Sequence, residues 1–271
     1  MSHVVRRPAV AGYYYPADPV TLKEEIDACT ATRRDPRAAF GALLPHGSFR
    51  HCGDILGATL SHVSIPRRCI VLGPSHTGSL IPWRLMVEGA YRTPLGDVPI
   101  DEACAQSLRE RCPFLEDDPQ AQQGEHAVEV LLPFLQRLGP EDLTVVPIVG
   151  GSERSEELQR VAEALAQVVR MQEEPVLLLA SSDLSHYARR EQASEQDHAV
   201  IDAICDMDDA RLTHEIRRGP TRMCGYGAAA CMLGAARALG ARHGTLVSYG
   251  TSADAGGDPH SVIGYAGIVI R

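Results

Sequence analysis

Three features missing from this sequence narrow what the protein can be. No stretch approaches the roughly 18 apolar residues of a membrane-spanning helix, and the N-terminal MSHVVRRPAV lacks an apolar core of signal-peptide length. A cytoplasmic protein with no membrane partner is therefore expected. An excess of basic charge is also missing: 26 Lys and Arg stand against 35 Asp and Glu, for a net charge of -9. That argues against a broad basic surface for nucleic acid, and leaves small molecules, peptides or proteins as partners. Finally, none of the eight cysteines forms a CxxC pair, so most read as small buried apolar residues rather than a disulfide framework. Linkers, internal repeats and low-complexity segments are absent too, and one domain spanning residues 1–271 is expected.

What is present is an alternation of short apolar runs with amphipathic helical patterns, the signature of an α/β fold. FGALL ends at Pro45 and His46, and CIVLG ends at PSHTG, which carries His76. Proline disfavours helical geometry before it and cannot donate to a sheet ladder, so each run reads as a strand that stops at a polar loop. A helix over about 53–63 separates the two, which predicts parallel neighbours with both carboxyl ends on one side. In open α/β sheets ligands bind at those ends. PVLLLA leads likewise into SSDLSHY, with Asp183 and His186. Thr21 and Glu24 read as a capping box for the first helix, and Pro133 predicts a kink in a helix running from about Glu125 to Leu138. An Ala-rich helix near the C-terminal end has Cys224 near its start.

Imidazole and thiolate are good ligands for zinc, copper and iron, so His46, His76 and Cys224 are candidates for one metal site with an open position. A helix N-terminus would favour the Cys224 thiolate. The bland alternative is that each is separately structural, the histidines bonding loop backbone and the cysteine packing. Asp183 and His186 can form an acid-base pair in which the carboxylate fixes the imidazole tautomer, or Asp183 can simply cap a turn. Glu125, beside His126, has an ordinary explanation as an acidic residue complementing a helix dipole. His51, His62, His198 and His214 read as loop or helix-surface residues, and His260 as a neighbour of the site at most.

In order along the chain, RRPAVAGYYYPADP, LLPHGSFRHCG, LGPSHTG, TPLGDVPID, GEHAVEVLLPFL, VVPIVGG, SSDLSHY, the Cys224 loop and GDPHSVIGYAGIV resemble the signature blocks of the MEMO family. Its prokaryotic members are also called AmmeMemoRadiSam system protein B. The resemblance covers nearly the whole chain. It implies a class III extradiol dioxygenase-like fold: a single domain with a twisted, mostly parallel sheet and helices on both faces. It also implies one transition metal ion (iron, copper or zinc) at His46, His76 and Cys224. His186 inherits the role of acid or base with Asp183 orienting it, and Glu125 and His126 line the pocket as further catalytic candidates. The dioxygenases use a carboxylate where Cys224 stands, and thiolate favours softer ions such as copper(I) or zinc over iron(II). Family members commonly have PHAGY where this chain has PHGSF, so Phe49 carries no phenol hydroxyl. A radical-SAM or AMMECR-type partner protein is implied as well. Three functions stay open: a metal-dependent oxidoreductase acting on a small substrate, aromatic ones included; a non-catalytic interaction or signalling protein that keeps the pocket; and a zinc-type hydrolase.

Overall fold

The computed structural model describes residues 4–30, 35–77, 83–152, 154–218 and 223–271; the Gly and Pro loop that precedes Cys224, and part of the charged turn at 33–37, lie outside them. The chain begins with β1 (Val5–Arg6), α1 (Pro19–Cys29), β2 (Gly41–Leu44), α2 (Phe49–Leu60) and β3 (Arg68–Gly73). There follow β4 (Trp83–Leu85), β5 (Ala90–Thr93), β6 (Gly96–Pro99), α3 (Glu102–Arg111) and β7 (Leu115–Asp117). After α4 (Leu132–Leu138) come β8 (Thr144–Gly150), α5 (Ser155–Arg170), β9 (Val176–Ser181) and β10 (His186–Ala188). The last elements are α6 (Arg190–Cys205), α7 (Asp209–Arg218), α8 (Tyr226–Leu239), β11 (Gly244–Thr251) and β12 (Val262–Ile270).

β2, β9, β3 and β8 lie side by side and run parallel, forming the centre of the main sheet. Their residues are apolar at nearly every position and buried, as strands covered on both faces must be. α8 packs on β2, β3 and β9, while α2 packs on β2, β11 and β12, so helices flank the sheet as the expected α/β architecture requires. Antiparallel strands extend it on both sides: β12 pairs with β2 and carries β10 and β11, and β4 pairs with β8. β1, β5 and β6 make a separate small sheet.

Strand order departs from expectation where it matters most. β2 and β3 are not neighbours; β9 lies between them and is parallel to both. The reason is the return of the chain through α5, which carries β9 back inside β3, and nothing local to PVLLLA encodes that choice. The carboxyl ends of β2 and β3 still point the same way, and the end of β9 now opens between them. Two helix starts also differ. Asp18, not Thr21, caps α1, its carboxylate accepting the N–H groups of Val20 and Thr21 with Pro19 in the first turn. Pro133 opens α4, where its missing N–H costs nothing, instead of kinking a longer helix. Glu125 and His126 therefore precede the helix in extended loop, ahead of a 3-10 turn at Glu129–Leu131.

Candidate metal centre

His46 sits two residues beyond β2 and is 2% exposed. Its backbone N–H donates to Asp183 Oδ1 (2.8 Å), which ties the loop after β2 to the loop after β9. The Ser181 hydroxyl gives its one proton to the Ala127 carbonyl (2.6 Å), so at 2.8 Å from His46 Nδ1 it must accept. Nδ1 is thus protonated, and Nε2 carries the free lone pair. His76 has its Nδ1 engaged by another route. Its Nδ1 donates to Glu125 Oε1 (2.8 Å), and its backbone N–H donates to Oε2 of the same carboxylate. A carboxylate behind a ligand histidine, fixing tautomer and ring orientation, is the usual support of a metal site. Glu125 Oε1 also accepts the N–H groups of His126 (2.8 Å) and Ala127 (2.9 Å).

These bonds bring three imidazoles together. Ring centroids are 5.1 Å apart for His46 and His76, 5.5 Å for His46 and His126, and 4.6 Å for His76 and His126. One nitrogen from each lies within 4.8 Å of the other two, a group able to hold a metal ion. Burial, reinforced by His76, pushes the His46 imidazole down to about 3. Burial and the other two histidines push His126 down to about 4. Both are neutral at physiological pH, the form that binds metals. Burial alone would lower His76 too, but the hydrogen bond and charge of Glu125 outweigh it and raise the pKa. Glu125 shows the reciprocal effect: burial acts to raise its carboxyl, while His76 and the backbone donors bring it down to about 2.

Cys224 adjoins this group, with Sγ 3.4 Å from His46 Nε2. Two ligands sharing one tetrahedral ion, at the usual zinc–sulfur and zinc–nitrogen lengths, stand about 3.6 Å apart. The thiol also accepts the Asp183 N–H at 3.3 Å. The helix start does not make it a thiolate in the metal-free protein. α8 begins only at Tyr226, and burial together with the Asp183 charge pushes the thiol up to about 12. Asp183 itself is raised by burial, partly offset by the His46 N–H and by His186, His126 and His76. His186, at the start of β10, has Nδ1 2.8 Å from the Leu184 carbonyl oxygen, and Asp183 Oδ1 is engaged with His46.

Several residues that the sequence did not single out complete the site. Ser181 sets the His46 tautomer. The Tyr14 ring meets His126 edge-on at 4.9 Å, and Tyr265 lies against Gly47. Ser181 stands in SSDLSH and was within reach of a strand-end reading; Tyr14 and Tyr265 carried no local signal. Phe49, by contrast, packs into the core against Phe134 (4.8 Å) and Tyr15 (5.5 Å). His260 is exposed in its turn.

A family model described as Memo-like protein matches residues 6–269. A MEMO1 family protein of Methanopyrus kandleri is 36% identical over 279 residues, covering 98% of this chain and 99% of that protein. Another, of Methanococcoides burtonii, is 35% identical over 268 residues, covering 98% of this chain and all of its own length (100%). The crystal structure of an uncharacterized protein from Escherichia coli K12 shares the fold, with a TM-score of 0.56 at 16% identity over 85% of this chain and 99% of that chain. With its signature blocks in order and the family model spanning nearly every residue, the chain belongs to the Memo family.

Proposed function

We propose that the protein is a metal-binding oxidoreductase acting on a small substrate at the carboxyl ends of β2, β9 and β3. His46, His76 and Cys224 hold one transition metal ion, with His126 facing the same space. The observation that carries this reading is the orientation of the imidazoles: hydrogen bonds to Ser181 and Glu125 occupy Nδ1 of His46 and His76 and leave Nε2 of each for a ligand. Three imidazoles and a thiol suit copper, zinc or iron, and the thiolate favours the softer of these. The ion would polarise a bound substrate and carry its redox chemistry. Glu125 holds His76 in place, Asp183 fixes the His46 loop, and His186 takes or delivers the substrate proton. Kinship to class III extradiol dioxygenases, a cytoplasmic location and a radical-SAM or AMMECR-type partner belong to the same proposal. Among the described residues no helix is long and apolar enough to cross a membrane.

Elemental analysis of protein purified without oxygen tests the centre. The expected result is about one metal ion per chain, lost in His46→Ala and reduced in Cys224→Ser. A folded, metal-free wild type would overturn the proposal. Oxygen uptake with a panel of catechols tests the redox half, for which an oxygen-insensitive hydrolytic activity is the refuting outcome.

A further inference from the structure

Tyr265 lies on β12, 2% exposed. The antiparallel register pairs Ile268 with Leu43 and Val269 with Ala42, so β12 runs past the end of β2 and carries residue 265 beside the loop that begins at His46. Contact there is close. A Cβ placed on Gly47 would stand 2.9 Å from Tyr265 Cε1, too close to be kept without a shift, and 3.1 Å from its hydroxyl oxygen, a tight contact. No positive φ is involved, so glycine is needed at this position for space alone. The phenol occupies the volume that a side chain on residue 47 would take.

The other deeply buried phenols have acceptors, Tyr15 donating to Glu129 and Tyr91 to Gln122, and the half-buried Tyr249 donates to Asp197. Among the described residues the Tyr265 hydroxyl donates to none, and it is not one of the unpartnered atoms that are wholly enclosed. The hydroxyl keeps its proton for an acceptor from outside the protein, water or a ligand oxygen. Asp183, Cys52, Tyr14 and Tyr187 are the titratable groups around it, and with burial they keep the phenol protonated, hence a donor.

We infer that the Tyr265 hydroxyl is a hydrogen-bond donor to the ligand of the metal pocket, admitted by Gly47, and that it selects small ligands presenting an oxygen acceptor. The inference rests on the metal-centre reading above. Its test uses the full chain loaded with zinc(II), with 4-nitrocatechol and imidazole as probes, in wild type, Tyr265→Phe and Gly47→Ala. Metal content and melting temperature are measured first. Tyr265→Phe is expected to keep both, to weaken 4-nitrocatechol binding roughly 10–100-fold, and to leave imidazole binding, which offers no oxygen, unchanged. Gly47→Ala, whose added carbon displaces the phenol, is expected to give the same selective loss, and it carries the test if Tyr265→Phe does not fold. Equal 4-nitrocatechol affinity in metal-loaded wild type and Tyr265→Phe overturns the assignment while leaving the metal centre standing. Parallel loss for both probes overturns it as well, since that marks a structural role. Wild type that takes up no zinc fails the metal centre itself, and the inference with it.

Discussion

Glu125→Gln perturbs the centre without removing a ligand. The carboxylate is 1% exposed and takes four donors: the N–H groups of His76, His126 and Ala127 and the His76 imidazole. An amide can keep the contacts made by Oε1, but its NH2 then faces the His76 N–H, donor against donor, and the charge is gone. The Glu125 carboxyl titrates at about 2 instead of 4.5, a difference worth about 3 kcal/mol. The raised His76 is the other side of the same interaction and is counted once. A depressed carboxyl contributes its full stability above the unfolded value of 4.5 and loses it as pH falls through about 2. A raised imidazole contributes fully below its ordinary 6.5 and loses the contribution as pH climbs through its higher folded value. Between about pH 4.5 and 6.5 the pair is therefore at full strength. Urea unfolding of metal-free protein at pH 5.5 is expected to show Glu125→Gln weaker by about 3 kcal/mol, with the wild-type loss between pH 4.5 and 2 much reduced in the variant. Metal affinity is expected to fall about 10–100-fold, the usual effect of removing such a support. A variant within about 1 kcal/mol of wild type at pH 5.5, with an unchanged acid profile, would refute the role given to this carboxylate.

Arg6→Ala is expected to cost about 3 kcal/mol. The side chain is fully buried (0% exposed) and paired with Glu129, also 0% exposed; Ala9, Val10 and the Tyr15 hydroxyl still bond the orphaned carboxylate, which keeps the loss at the lower end. Urea unfolding checks this, and a loss under about 1 kcal/mol would contradict it. Cys224 in the metal-free protein, pushed up to about 12, is expected to react with iodoacetamide at pH 8 far more slowly than in unfolded chain; peptide mapping showing rapid labelling would count against the half-buried, protonated thiol. Since that proton must leave when the thiol binds an ion, metal affinity is expected to rise about tenfold per pH unit near neutrality, a slope that Cys224→Ser should flatten.

The strand ends were legible because apolar runs stop locally: proline and glycine mark the ends before His46 and His76, and paired serines mark the end before Asp183. Strand order was not legible. The insertion of β9 between β2 and β3 is decided by which gap the returning chain can fill, a long-range competition without a local signature. The same limit hid Arg6, whose guanidinium donates to the Gln122 and Glu125 carbonyls, far away along the chain. The helix-dipole explanation of Glu125 fails for a related reason: the helix starts at Leu132 rather than at Glu125, and the carboxylate bonds His76 instead. Tyr265 is the extreme case, since only the pairing of β12 with β2 brings it to Gly47.

The insertion of β9 also gives the centre two unlike halves. On one side the imidazoles are preformed: Ser181, at the end of β9, and Glu125 hold His46 and His76 with Nδ1 occupied, and burial keeps His46 and His126 neutral. No proton has to leave these two and little has to move for an ion to enter. On the other side Cys224 is protonated and bonded to the Asp183 N–H, with Sγ 3.4 Å from His46 Nε2. An ion captured first by the imidazoles would bring its positive charge against the thiol and offset the burial and the Asp183 charge that now protect its proton. Asp183 bonds both loops, through the His46 N–H to its carboxylate and through its own N–H to Cys224. Thiol ionisation and the placement of His46 are thereby joined at one residue, so that in the proposed centre Asp183 would couple the two.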